Sequence, residues 1–278
     1  MKFGGSRRTR PLDFGHARRG ILMNVHTTPS IDGGPRSERK AAALTIAQRV
    51  ATYDWAATEA ALDEHGWAPL PAALSAAECD ALVSLYAHEQ HFRSRVVMAR
   101  HGFGRGEYQY FRYPLPEPIA ELRASLYAQL TTVANRWNET LGIETRFPQD
   151  HKEFIERCHG AGQERPTPLL LKYGLDDYNC LHQDLYGEHA FPLQVVFLLS
   201  APNDDFSGGE FVLTEQRPRM QSRAEVVPLA KGDGAVFAVN HRPKRGSRGF
   251  YRVTMRHGAS RVRSGRRFTA GVIFHDAR

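Results

Sequence analysis

Within residues 178–187 the chain places an imidazole and a carboxylate two positions apart, His182 and Asp184. In extended backbone, side chains at i and i+2 share one side of the strand, so both can face a single ion. Two imidazoles and one carboxylate on one octahedral face leave three positions open, the arrangement of non-haem ferrous iron that activates O2. The second imidazole must come from another strand, and His257 follows the apolar run at 251–255. Arg267 comes ten residues later, past a turn at Ser264-Gly265. A guanidinium there suits a two-point grip on a cosubstrate carboxylate. His182, Asp184 and His257 are thus the expected metal ligands and catalytic centre, and Arg267 the expected anchor for the cosubstrate.

Competing pairs fit less well. His151-Lys-Glu153 lies in a stretch that reads as helix, where i and i+2 diverge by about 200°. His275-Asp276 are adjacent and point to opposite faces. His241 and His189 are substitutes for His257, but no Arg lies in a strand ten residues past His241. Cys158-His159 with Cys180-X-His182 offers four zinc donors, in a spacing unlike the usual zinc sites, and this use would orphan Asp184 and His257. Buried, inert thiols explain Cys79 and Cys158 more simply.

The elements that must position these groups change character along the chain. Residues 1–50 read as a basic, unstructured extension, with Met23 an alternative start, and residues 51–165 as a mainly helical part. Ser75 and Glu78 form a capping box. Ile119, Leu122, Leu126, Leu130, Val133, Trp137 and Leu141 recur at helical spacing over 117–141. From residue 166 to 278 short apolar runs alternate with Gly, Pro, Asn and Asp: 169–173, 193–199, 211–213, 226–229, 235–239, 251–255 and 268–274. Such a run predicts a β-sandwich or barrel. Between the helices, residues 100–113 hold five aromatic residues and three glycines. They read either as a loop that stacks a base or covers a substrate, or as a hairpin packing its own rings.

His182-X-Asp184, His257 and Arg267 together resemble the iron(II)/2-oxoglutarate-dependent dioxygenases. The likeness extends through Gly208-Gly-Glu-Phe211, residues 228–237, and Ser264-Gly-Arg-Arg267-Phe, which are similar to the prolyl-4-hydroxylase-like branch. Residues 181–187, 215–223 and 273–277 resemble a bacterial subfamily whose substrate the motifs do not name. The resemblance covers roughly residues 51–278. It implies an α+β fold: a double-stranded β-helix (a cupin-like jelly roll) with helices packed outside. It also implies Fe(II), 2-oxoglutarate and O2 as cofactor and cosubstrates, and hydroxylation of a C–H bond coupled to succinate formation. Arg267 stands where the animal prolyl hydroxylases carry Lys, which leaves the cosubstrate in place and puts a prolyl substrate in question. Tyr173 and Tyr178 are candidates to hydrogen-bond 2-oxoglutarate, with core packing the alternative for each, and Gln194 is a weaker one.

Charge bears on the substrate. Residues 1–50 carry ten Lys and Arg against three Asp and Glu, residues 51–216 twelve against twenty-four, and residues 217–267 fourteen against two. If the basic 217–267 segment rims the cavity it suits phosphates, hence oxidative demethylation of alkylated nucleic acid. If it neutralises the acidic body instead, hydroxylation of a protein side chain or a small molecule remains open, as does a non-catalytic cupin-type binding protein. No apolar run reaches the ~18 residues of a membrane span, and because the N-terminus lacks an apolar h-region of about 7–15 residues, no secretory signal is expected. Three cysteines form no disulfide framework and fit a reducing, cytoplasmic setting. The sequence sets no oligomeric state.

Overall fold

The computed structural model describes residues 44–278. The basic extension expected over 1–50 therefore lies, up to residue 43, outside the described residues. From there the chain is helical: Thr45 and Gln48 form a capping box for α1 (Ile46–Ala51), which buries Ile46 and Val50. Asp54 caps α2 (Trp55–His65), and Ser75 with Glu78 makes the expected box for α3 (Ala76–Leu85). The long apolar stripe forms α4 (Glu117–Thr140), buried along Ile119, Leu122, Leu126, Leu130, Val133 and Trp137. Asp150 caps α5 (His151–Gly160).

Two antiparallel sheets face each other. The larger has the order β1 (Trp67–Leu70), β11 (Gly234–Ala238), β7 (Leu193–Leu198), β15 (Arg267–Ile273), β5 (Leu169–Tyr173), β4 (Glu107–Phe111), β2 (Phe92–Val97). The smaller runs β10 (Arg223–Val227), β9 (Phe211–Gln216), β13 (Gly249–Ala259), β6 (Tyr178–His182), β3 (Gly104–Arg105), and β12 (His241–Gly246) also pairs with β13. β8 (Phe206–Gly208) and β14 (Val262–Gly265) form a separate pair. Phe237 of the larger sheet meets the Phe211 and His257 rings of the smaller one at 5.0 and 4.7 Å between centroids. This is the double-stranded β-helix, with the site between its two walls.

Burial follows strand position. Every residue of β7 is buried, as a central strand covered on both faces must be. In β9 burial alternates residue by residue, the pattern of a strand with one face in the core and one outward. Helix α4 packs against the larger sheet, where Arg123 donates from Nε to the Ile273 carbonyl at 2.9 Å.

Two differences from the sequence reading concern boundaries. Strands β1 to β4 lie before residue 166, inside the part expected to be mainly helical, and β1, β2 and β4 belong to the larger sheet. Residues 100–113 contribute β4, which makes a hairpin with β2, and β3, which joins the opposite wall beside β6. The segment thus bridges both sheets at one end of the cavity.

Candidate active site

β6 delivers the first ligand pair through an irregular ladder. Asn179 pairs with Ala259 and His182 with His257, three steps on β6 against two on β13. An extra residue of this kind reverses which side chains face inward. Asn179 and His182 both line the cavity, while Tyr178 is 38% exposed and does not. Tyr178, one of the two tyrosines named as candidates for 2-oxoglutarate, thus stands outside the cavity lining, whereas strict alternation from His182 would turn it inward. Past the end of β6, Gln183 is tied down by donating to Asn240 Oδ1 and the Met255 carbonyl, at 2.7 and 2.8 Å. That anchor presents Asp184 to the same space as His182.

His182, Asp184 and His257 converge with ligand atoms all within 4.8 Å of one another. His182 Nε2 stands 3.5 Å from Asp184 Oδ1, and His257 Nε2 3.2 Å from Asp184 Oδ2. Neighbouring ligands of one octahedral ion with bonds of about 2.0–2.2 Å sit about 3 Å apart, so the spacing fits a single metal. His182 Nδ1–H donates to the Cys180 carbonyl at 2.8 Å, which leaves the Nε2 lone pair for a metal. Both oxygens of Asp184 are held: Tyr186 donates its hydroxyl to Oδ1 at 2.7 Å, and Gln194 donates Nε2 to Oδ2 at 2.9 Å. Among the described residues no other His, Cys, Asp or Glu groups converge in this way. Cys158 is buried in α5 and His159 bonds Asp276, so the zinc alternative is not assembled.

The electrostatics follow from burial against charge. Burial opposes ionisation of Asp184, yet hydrogen bonds and charge from His182 and His257 hold its carboxyl well below the usual range. Burial likewise disfavours protonated His182, and the Asp184 carboxylate overrides it, raising that imidazole. His257 goes the other way, lowered by burial and by His182. Tyr186 is pushed far up by burial and by the charge of Asp184, so it remains a donor.

Arg267 opens β15 directly across from Tyr173 of β5. It is 3% exposed, with its Cζ 5.4 Å from the Tyr173 ring centroid and 5.9 Å from that of Phe206. Gly209 makes room for it: at φ +63°, a Cβ there would stand 2.8 Å from Arg267 Cδ. The Gly208-Gly209 turn is therefore a seat for the guanidinium. Several buried polar atoms around the cavity have no partner, namely Arg267 Nε, Gln194 Oε1 and His257 Nδ1. A buried cation with an unsatisfied donor marks a place for an anion. A metal with a keto-acid carboxylate fits this donor set and this orphaned guanidinium.

The cavity itself has a volume of about 400 Å³. Tyr108, Tyr110, Tyr173 and Tyr186 line one side, and Phe103, 48% exposed, stands at the wall together with Leu181. Of the fourteen basic residues in 217–267, only Arg267 lines it. Arg242 is instead fully buried and ion-paired with Glu215. His241 and His151 lie elsewhere, one in β12 and one in α5. Tyr186 and Asn179 escaped the sequence reading. Tyr186 follows Asp184 by two positions, the same interval that singled out His182, and that signal was available.

Residues 106–277 match the family described as an oxygenase catalysing oxidative methylation of damaged DNA. Two uncharacterized proteins from Mycobacterium tuberculosis strains CDC 1551 and H37Rv are each 50% identical over 167 residues, covering 60% of this chain and 72% of theirs. Among solved structures, a Pseudomonas putida prolyl-4-hydroxylase aligns with a TM-score of 0.46 at 15% identity, over 81% of this chain and 99% of that one. A 2OG-Fe(II) oxygenase family protein from Burkholderia pseudomallei aligns at 0.47 and 18%, over 81% and 93%. The family match spans more than half of the chain and contains His182, Asp184, His257 and Arg267. The chain belongs to this oxygenase family, as an Fe(II)- and 2-oxoglutarate-dependent oxygenase.

Proposed function

We propose that this cavity oxidises a methyl group on a damaged DNA base. The observation that carries the reading is the His182, Asp184 and His257 cluster together with a buried Arg267, its Nε without a partner, in one aromatic-walled cavity. The family description supplies the substrate class. When bound, ferrous iron with 2-oxoglutarate and O2 supplies the oxidising power for a C–H bond, yielding succinate and CO2. A hydroxylated methyl on nitrogen then leaves as formaldehyde and restores the base.

In this reading His182, Asp184 and His257 hold the metal. Tyr186 and Gln194 fix the Asp184 carboxylate, as groups behind a metal ligand do. Arg267 pairs with the distal carboxylate of 2-oxoglutarate, and Tyr173 stacks beside that guanidinium and shapes its pocket. The tyrosine wall excludes water and offers flat faces to a base turned out of its stack. Damaged bases pair poorly, so extruding them costs least. A reducing cytoplasm suits ferrous iron and the three free cysteines.

The test is chemical. Purified protein with ferrous iron and 2-oxoglutarate is given methylated DNA oligomers, peptides and amino acids in parallel. Formaldehyde and succinate in equal amounts, with loss of one methyl mass from the DNA, are expected. Succinate that depends on a peptide or small molecule, with DNA unchanged, would assign the protein to side-chain or small-molecule hydroxylation.

A further inference from the structure

The register of the smaller sheet sorts its cations. On β13, Val253, Met255 and His257 point inward and are buried, so Arg252 and Arg256 point outward, and both are exposed. β12 pairs Arg245 opposite Phe250, on the same outer side, and Arg248 lies in the turn between the two strands. The other outward positions on β9, β10, β12 and β13 carry Val, Thr, Gln, Ala, His, Pro and Gly. None is an Asp or a Glu. Among the described residues, Arg245, Arg248, Arg252 and Arg256 make no ion pair, whereas other cations of the segment do: Arg242 and Arg217 with Glu215, Lys244 with Glu64, Arg261 with Asp176. Carboxylates meet this segment at its other sides and leave one face purely cationic.

We propose that this outer face docks the sugar-phosphate backbone of duplex DNA. The proposal rests on the reading of the cavity as one that acts on a DNA base. Charge complementarity names the class of partner, since unpaired arginines on a carboxylate-free face suit a polyanion. Duplex is favoured over single strand because Phe250 is the one aromatic among the outward positions, and unstacked bases need aromatic platforms. Arg252 and Arg256 are four residues apart, about 13 Å along a strand, close to the width of the DNA major groove at about 12 Å. Their guanidinium groups can reach phosphates on the two edges of one groove. Proximity to the chemistry is built in. Arg256 immediately precedes His257, and β6, which follows β12 along the same edge of β13, carries exposed Leu181 at the cavity wall. Duplex held on this face lies one sheet thickness from the metal cluster, with the β6 edge as the path for an extruded base.

The experiment uses the full chain and a fluorescent, unmodified DNA duplex, with affinity measured between 50 and 200 mM salt. Arg252→Ala/Arg256→Ala should weaken binding about tenfold or more and reduce the slope of log K against log salt by roughly 0.9 per lost phosphate contact. Arg252→Lys/Arg256→Lys should keep most of the affinity, and melting temperature and 2-oxoglutarate turnover without DNA should not move in either variant. Unchanged affinity and slope in the alanine variant would overturn the proposal and place binding elsewhere, as would a wild type that binds no duplex. Preference for single strands overturns the duplex assignment. A methylated dinucleotide, too short to span the face, separates the two readings. Its demethylation without duplex binding sinks the docking surface and keeps the cavity's function. Duplex binding as expected with no methylated base oxidised does the reverse.

Discussion

Two buried carboxylates in this protein have opposite surroundings. Asp276 is fully enclosed and saturated: Arg123 donates to Oδ1 at 2.7 Å, while Tyr113 and His159 bond Oδ2 at 2.8 and 2.9 Å. Arg123 is itself completed by the Ile273 carbonyl and the Tyr113 hydroxyl. Asp184 is also buried, but its surroundings are left incomplete, with orphaned atoms on His257 and Gln194 beside it and on Arg267 in the same cavity. A buried polar network with every member satisfied fixes a fold; one with members unsatisfied is arranged for something not yet in it. Asp276 closes the C-terminal segment onto α4 and α5, and Asp184 faces a cavity.

The contrast is sharpest in substitution. Asp276→Ala strands the Arg123 charge in the core and should cost about 3–5 kcal/mol, read as a large fall in the urea midpoint or as loss of soluble protein. Asp184→Ala should abolish succinate formation and ferrous-iron binding while the urea midpoint stays near wild type. A destabilisation as large as that of Asp276→Ala would erase the distinction between the two sites. Next in size, Arg267→Gln should raise the KM for 2-oxoglutarate by about 10- to 100-fold, the worth of a charge-assisted pair at about 1.5–3 kcal/mol. An unchanged KM would move the cosubstrate anchor elsewhere.

Acid should act on the core before it acts on Asp276. His151 sits under Tyr127 and against the Phe274 carbonyl, and burial brings its pKa down to about 4 from an ordinary 6.5. Below pH 6.5 the unfolded chain takes up a proton that the folded protein refuses. Stability is therefore complete above that value and declines as pH falls toward about 4, by on the order of 2–3 kcal/mol for this residue. His275, also brought to about 4 by burial, behaves alike. His151→Gln should flatten the decline in a series of denaturation curves, and an unaltered slope would exclude His151 as its source. Asp276, held low despite burial by Arg123, loses its contribution only at pH below the ordinary carboxylate range. The smallest effect tests the strand irregularity: Asn179→Ala should raise the KM for 2-oxoglutarate severalfold and Tyr178→Phe should leave it unaltered. The opposite result would put Tyr178 back in the cavity.

The metal cluster was legible because its rule is local: an i, i+2 pair beginning at the end of one strand, a second imidazole on another, an arginine ten residues on. The strands around it were legible because apolar runs between turn residues carry their own punctuation, and the observed β5, β7, β11 and β15 differ from those runs by a residue or so. What could not be read depended on register. The bulge in β6 exchanges Tyr178 for Asn179, and no pattern in residues 178–182 announces it. The location of the arginines depends on how β12 and β13 pair, which two polar hairpin strands do not declare in advance. β1 was hidden by its brevity and by Pro69.

β13 carries one more consequence. Alternate residues of a strand exchange faces if pairing slips by a single position. In β13 such a slip would take His257 out of the cavity and turn Arg252 and Arg256 to the buried side, Arg256 into the space opposite Phe237, where unpaired charge is intolerable. The cationic face therefore also acts as a lock on folding: the misaligned partner state is excluded by its own arginines, and the ligand histidine inherits its position from residues that never touch the metal.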